Sequence, residues 1–507
     1  MNFKQFTTAA FLALIGTTAF AQHRCGVGVE DGALIKERML ENRRSIPAEQ
    51  IEAFQNSRAI TYVPVKFTIV GDNNGAGYCD IDQIFAMHCD MNNDYRTQDV
   101  QFVLKDAANS VRYSNNTSVY NNGSGNTAAT FMISNKAANC LNIYTSASVN
   151  NQVASYYSPF GDYIFVLNQM ANGSSSTGSH EVGHFFTLPH TFLGWEGTDF
   201  TGGAAPNTVS GDAVERVTRT GGSANCASAA DGFCDTPADY ISFRANCPYT
   251  GGGTDNTGAA INPEESLIMS YYADACVDSF SPQQKGAIAA DLIRRGWSNL
   301  AAPTPNALVS SASVVGVSPI GGASAPLVND VVLTWNAVPN ATGYVVYVER
   351  TLFGSAIETV SKAIVYGTNT YTIPAALLSY PRQYSWKIKP FNQYQTCAAY
   401  SAPFAFSTTA PATAVEDVFK TSAEMTILSN PVGSMTADVL INVPNATTAS
   451  MLLYSMDGKQ IINMNGVELN SGDNLQLLDV SSLNNGVYVL VVTTPEGSLH
   501  QKLVVQR

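Results

Sequence analysis

The sequence predicts a multidomain chain: an α+β domain on the N-terminal side, followed by two antiparallel β-sandwich domains. Three observations lead there. At 507 residues the chain is too long for one globular domain. Up to about residue 300, strand-like runs occur together with stretches of helical composition or periodicity. Beyond residues 301–306 (AAPTPN), which read as a linker, the texture changes to short alternating runs separated by turn residues. An apolar content of 45% is enough for a core in each domain and argues against a mostly disordered chain. With 27 Lys+Arg against 40 Asp+Glu, the net charge of −13 argues against nucleic-acid binding.

Taken in order, the first segment reads as a signal peptide over residues 1–21. Lys4 precedes an apolar stretch at about 6–15, and Ala19 and Ala21 supply small residues at the −3 and −1 positions of a cleavage site before Gln22. No run approaches the roughly 18–20 apolar residues of a transmembrane span. Export permits disulfides among the nine Cys. Residues 30–44 have helical composition. Residues 62–70 then read as a strand, followed by strand candidates at 141–144 and 163–167 and a helical segment at about 176–188. The stretch 198–258, rich in Gly, Asp, Thr and Cys, is expected to be a long ordered loop region. Residues 281–299 have helical periodicity, with Ser281-Pro282 as cap and first turn. Residues 309–408 form one β unit, with strands at 331–335, 343–347 and 384–388. A second linker at 409–413 (TAPAT) leads to a further β unit at about 419–507.

The chemistry is concentrated in the segment from His180 to His190, which holds three of the six histidines. His180 and His184 are four apart, so on a helix they project from one face and can grip one metal ion. Neutral imidazoles suit Zn²⁺, and three protein ligands leave a fourth position for water. Glu181, next to the first ligand, is placed to take a proton from that water. His190 reaches the metal only if the helix stops and turns first, and Pro189 helps end it.

This segment resembles the zinc motif of the metzincin metalloproteases, H-E-x-x-H-x-x-G-x-x-H, and its flanks resemble the pappalysin (cytophagalysin) family. The supporting residues are Ser179, His190-Thr191-Phe192, the run from Asp231 to Pro237, and the run from Ser266 to Tyr271 through Cys276 and Phe280. The resemblance covers about residues 57–300. It implies a twisted mixed sheet with an active-site helix in a catalytic domain spanning 59–300, and a zinc endopeptidase acting on proteins and peptides. It also implies that Met269 is the Met-turn residue and that Tyr271 ligates zinc or stabilises the tetrahedral intermediate. One departure stands out: Thr187 occupies the family's Gly position, where a positive φ costs Gly little and a β-branched residue much. Thr187 is therefore either strained or the turn is made differently. In a rival, gluzincin-like site a downstream acid such as Glu215 replaces His190; the Met-turn match counts against it.

Arg24-Cys25-Gly26 matches the family's cysteine-switch motif, which makes residues 22–58 a prosegment and Cys25 the zinc ligand of a latent zymogen. Activation cleavage has three candidate positions, after Arg43, Arg44 or Arg58. Cys226, Cys234, Cys247 and Cys276 allow three pairings, of which the resemblance favours Cys247–Cys276; Cys79 and Cys89 are close enough for a local loop. The resemblance also makes Asp231 and Asp235 candidate Ca²⁺ ligands. An acid lining the pocket for the residue after the cut selects Lys or Arg there, and Asp274, beside the apolar Ala275, is near the Met-turn.

Residues 309–408 resemble a fibronectin type III-like module through Leu333-Thr334-Trp335 and the paired aromatic strands. Residues 419–507 resemble the C-terminal sorting domain of type 9 secretion substrates, through Leu428-Ser429-Asn430-Pro431, Met456-Asp457-Gly458-Lys459 and Lys502-Leu503-Val504-Val505. That implies the type 9 secretion machinery as a partner and a secreted or outer-surface location. The alternative from another class is a surface adhesin whose metal domain is non-catalytic and whose β modules bind glycans or protein.

Overall fold

The computed structural model describes residues 24–507 except 149–152, 199, 201, 299, 327–329, 352–356, 380, 410–422 and 456–457. The signal peptide expected at 1–21 and most of the linker expected at 409–413 lie outside the described residues. The chain divides into two units, Met1–Pro303 and Thr304–Arg507.

The first unit opens with a two-residue strand β1 (Arg24–Cys25), then helices α1 (Val29–Ser45) and α2 (Ala48–Asn56). Gly32, Ile35, Met39 and Asn42 are the buried residues of α1. Their three- and four-residue spacing makes one stripe, which docks the helix on the rest of the unit. Polar anchors flank the stripe. Asn42 Nδ2 donates to Asp291 Oδ1 at 3.1 Å in a buried contact, and Lys36 Nζ donates to the carbonyls of Ser228 and Ala230 at 2.7 and 2.8 Å. The Arg43 guanidinium lies 4.4 Å over the Phe233 ring. Arg44 belongs to the same helix, whereas Arg58 is exposed, beyond the end of α2.

A mixed sheet follows. Its strands are β2 (Thr61–Gly71), β3 (Val100–Leu104), β4 (Val111–Asn115), β5 (Leu141–Ser146), β6 (Val153–Ser158) and β7 (Tyr163–Leu167), with helices α3 (Ile81–Asp94), α4 (Thr117–Asn121) and α5 (Asn126–Asn135) in the connections. The order is β1-β6-β7-β5-β2-β3, with β4 also paired to β2. Every pairing is parallel except β6 with β7. Every residue of β5 and β7 is buried, as expected of parallel strands covered on both faces. β1 adds to the outer side of β6, pairing Cys25 with Ser155.

Helix α6 (Thr177–Phe185) lies within the predicted helical segment, and α7 (Pro282–Arg294) begins with Ser281 as N-cap in a capping box with Gln284. Between them, the described residues of 198–258 contain only two-residue strand pairs, as expected of a loop region: Gly203–Ala204 with Gly253–Thr254, and Thr208–Val209 with Asp212–Ala213. Aromatic packing orders this stretch, with Trp195 stacked on Tyr240 at 4.7 Å and Phe200 edge-on to both. Disulfides join Cys226 to Cys234 and Cys247 to Cys276. Cys79 is a buried free thiol, so the local loop with Cys89 is not formed.

In the second unit, a three-stranded sheet (Gly316–Ser318, Val331–Trp335, Thr370–Ile373) and a five-stranded sheet (Ala323–Pro326, Phe404–Thr409, Arg382–Phe391, Gly343–Thr351, Ile357–Tyr366) contribute to one core. Leu333 and Trp335 from the first meet Val346, Trp386 and Ile388 from the second. A three-stranded sheet (Glu424–Ile427, Thr436–Val443, Gly472–Asp479) and a four-stranded sheet (Gln460–Leu469, Thr447–Ser455, Gly486–Thr494, Gly497–Val505) share a further core through Val439, Ile441, Met451, Leu453 and Leu490. Strand alternation places these residues inward, and burying each contributes about 1.5–3 kcal/mol.

Candidate metal centre

His180 and His184 project from one face of α6, one turn apart, and both are buried. The helix stops just after them. Leu188 N donates to Gly183 O and Thr187 N donates to His184 O, both at 2.9 Å, the paired bonds of a Schellman motif whose left-handed residue is normally Gly. Here that residue is Thr187, at φ 65°. The first of the two alternatives therefore holds: the β-branched residue is strained in the family's glycine turn. Its buried hydroxyl has no partner. The turn carries the chain back through Pro189, so that His190 faces the two helical rings, with its centroid 4.6 Å from His184 and 5.2 Å from His180. We expect Thr187→Gly to stabilise the chain by about 1–2 kcal/mol in thermal unfolding, because relief of the left-handed strain and of the orphan hydroxyl outweighs glycine's extra entropy. Unchanged stability would show that the turn is not strained.

Each imidazole is held by its Nδ1. His180 Nδ1 lies 2.7 Å from Ile268 O, and His184 Nδ1 lies 2.7 Å from Leu188 O. A carbonyl only accepts, so both Nδ1 atoms carry the proton and both Nε2 lone pairs are free. His190 Nδ1 lies 3.0 Å from Glu196 Oε1, whose other oxygen accepts from Gly194 N at 2.8 Å. The Nε2 atoms of His184 and His190 are 3.1 Å apart, near the roughly 3.3–3.4 Å separation of two nitrogens on one tetrahedral zinc. The ligand atoms of Cys25, His180, His184 and His190 all lie within 4.8 Å of one another. His180 Nε2 is buried with no hydrogen-bond partner, which suits a metal ligand. Burial, with His190 nearby, pushes the His180 imidazole down to about 3 and lowers His184 as well, so both rings stay in the neutral form that coordinates a cation. The donor set fits zinc.

Glu181 is fully buried beside His180. Its Oε1 accepts from the Ser155 hydroxyl at 2.5 Å, while Oε2 has no partner. Burial pushes this carboxyl up to about 7, against the lowering effect of the Ser155 and Cys25 donors. Cys25 Sγ lies 3.6 Å from His184 Nε2. Burial and the Glu181 charge raise its thiol well above the usual value; a cation held by the three imidazoles would favour the thiolate instead. The Tyr271 hydroxyl donates to Cys25 O at 3.3 Å, with its ring 5.1 Å from His190. Met269 is fully buried under α6, where a Cβ on Gly183 would meet its Sδ at 2.1 Å; only glycine admits the thioether there.

Other expected site residues lie elsewhere. Glu215 is paired with Arg219 and is not among the converging ligand atoms. Asp231 and Asp235 are engaged by protein donors rather than sharing a cation site. Asp231 accepts from Phe233 N and the Thr236 hydroxyl, and Asp235 accepts from the Ser281 hydroxyl at 2.8 Å and Gln283 N at 2.7 Å at the start of α7. Burial pushes Asp231 up to about 7, with Lys36 opposing. The calcium expectation therefore finds no support.

Two residues at the centre carried no signal in the sequence. Ser155 is an ordinary strand serine until β6 places it against Glu181. Glu196 reaches His190 through a bend containing Gly194 and Gly197, both at positive φ. Glu196→Ala is expected to weaken zinc binding about 10–100-fold, measured by competition with a chromophoric chelator; unchanged affinity would remove its orienting role.

Comparison with known proteins adds the following. Residues 430–506 match the family model described as a secretion system C-terminal sorting domain. An extracellular metalloprotease of Verticillium alfalfae is 27% identical over 169 residues, which cover 29% of this chain and 47% of that protein. The chain thus spans about half the length of the curated relative it matches. Among solved structures, a Tannerella forsythia promirolysin mutant is 16% identical, with a TM-score of 0.37 over 54% of this chain and 97% of that one. The fibronectin(III)-like modules of Clostridium thermocellum CbhA are 11% identical, with a TM-score of 0.15 over 38% of this chain and 94% of that one. No helix among the described residues is long and apolar enough to cross a membrane, which says nothing of β-barrels. The chain ends in a type 9 secretion sorting domain and is a secreted or cell-surface protein, with sequence similarity to an extracellular metalloprotease.

Proposed function

We propose that the chain is a secreted, zinc-dependent endopeptidase made as a latent zymogen. In this reading residues 22–58 are the prosegment, 59–300 a metzincin catalytic domain of the pappalysin type, 309–408 a fibronectin type III-like sandwich and 419–507 the sorting domain. The observation that carries it is the convergence of three imidazoles, with His180 Nε2 unpartnered and the Nε2 atoms of His184 and His190 3.1 Å apart, beside the unpartnered Oε2 of a buried Glu181. His180, His184 and His190 would hold zinc, which when bound supplies Lewis acidity toward water and the scissile carbonyl. Glu181, fixed through Oε1 by Ser155, takes the proton of the attacking water at Oε2 and delivers it to the leaving amine. Tyr271, once released from Cys25 O, donates to the oxyanion.

Latency follows from the same residues. Cys25 Sγ would serve with the three imidazoles in holding the metal, and β1 pairs with the outer side of β6, where an extended substrate would otherwise add as a strand. Of the three candidate arginines, Arg58 is the one outside a helix, and cleavage there separates the prosegment from β2.

The test is hydrolysis of an unfolded protein by the chain freed of residues 22–58. One zinc per chain is expected, with activity lost on chelation and restored by zinc. A correctly metallated, prosegment-free chain that cuts nothing would instead favour the adhesin.

A further inference from the structure

A pocket opens beside His180, between the start of α6 and residues 270–272. Its lining includes Ser176, Thr177, Tyr272 and Arg244. Asp274, the acid bonded to two of these lining residues, Ser176 and Arg244, is already committed. Its Oδ1 accepts from the backbone N and the hydroxyl of Ser176, at 2.9 and 2.8 Å, and its Oδ2 is taken by the Arg244 guanidinium. Three donors on one carboxylate leave little to attract an incoming cation.

Arg244 is in the opposite condition. A guanidinium has five N–H donors, and Asp274 occupies one of its amino groups; the side chain is 44% exposed. The Tyr272 hydroxyl, in the same lining, is buried without a partner. The pocket therefore offers donors, and the acid bonded to its lining is neutralised. We propose that Arg244 is a specificity-determining residue: this pocket accepts an acidic or carboxamide side chain of a substrate residue flanking the scissile bond and turns away Lys and Arg. A substrate carboxylate can be held by the guanidinium fork, whereas an ammonium meets like charge and a spent acid. The inference rests on the endopeptidase reading and assigns its substrate class.

The experiment is a peptide-library cleavage profile of the prosegment-free chain, run for wild type, Arg244→Gln and Arg244→Lys. For wild type, Asp, Glu, Asn and Gln are expected to exceed Lys and Arg by about 10-fold or more at one position beside the cut. Arg244→Gln should reverse that preference by uncovering Asp274, while Arg244→Lys, which keeps the charge, should go on rejecting basic residues. Cleavage by wild type with a preference for Lys or Arg, or with no preference between the two classes, overturns the inference and leaves the peptidase reading intact. A wild-type profile unchanged in Arg244→Gln also overturns it. Absence of cleavage by all three metallated proteins overturns the peptidase reading and this inference with it.

Discussion

Glu181→Ala is expected to leave zinc stoichiometry at one per chain and to lower peptide hydrolysis by about 10²–10⁴-fold. The two outcomes separate because the carboxylate is not a ligand. The three imidazoles are oriented by Ile268, Leu188 and Glu196, and none of these contacts involves Glu181. What the substitution removes is the acceptor at Oε2 and the proton it returns to the leaving group. Burial raises this carboxyl, and a cation held by the adjacent imidazoles would favour the ionised form that accepts a proton. Hydrolysis retained in the metallated variant would show that another group carries the proton.

Cys25→Ala is expected to shorten the activation lag of the full-length chain by about 10-fold or more, read from the time course of substrate cleavage after purification. A thiolate at that place would contribute charge and a soft ligand atom to a bound metal, and alanine offers neither. Full activity is not expected at once. Gly26 N still donates to Ser155 O at 2.7 Å, and α1 still docks through Ile35, Met39 and the Asn42–Asp291 contact. The variant thus divides latency into metal blockade and strand blockade. An unchanged lag would assign all of it to the docked strand and helix and remove Cys25 from the switch.

The features legible in the sequence are those whose determinants are local. The four-residue spacing of His180 and His184, the Ser281-Pro282 helix start and the alternation around Trp335 each report on their own element, and the structure places those elements within a few residues of the expected bounds. Thr187 was legible as a conflict, since left-handed backbone has a cost that depends on residue type alone. Ser155 and Glu196 were not legible, because their roles depend on which distant side chain the fold brings opposite them. The calcium expectation finds no support for the same reason: the acids of the 231–237 run look like ligands in isolation, whereas the helix start at Ser281–Gln283 and the Thr236 hydroxyl donate to them in three dimensions.

Ser155 serves two masters on one strand: its carbonyl anchors the N-terminal segment, and its hydroxyl steadies the Glu181 carboxylate. Side chains alternate along β6, so slipping it one residue against β7 would turn Ala154 or Tyr156 toward Glu181. The turn at residues 159–162, pinned by Arg295 through Asp162, sets that frame. A single-residue insertion there, remote from the histidines, would withdraw the hydroxyl from Glu181 and loosen the N-terminal segment in the same stroke.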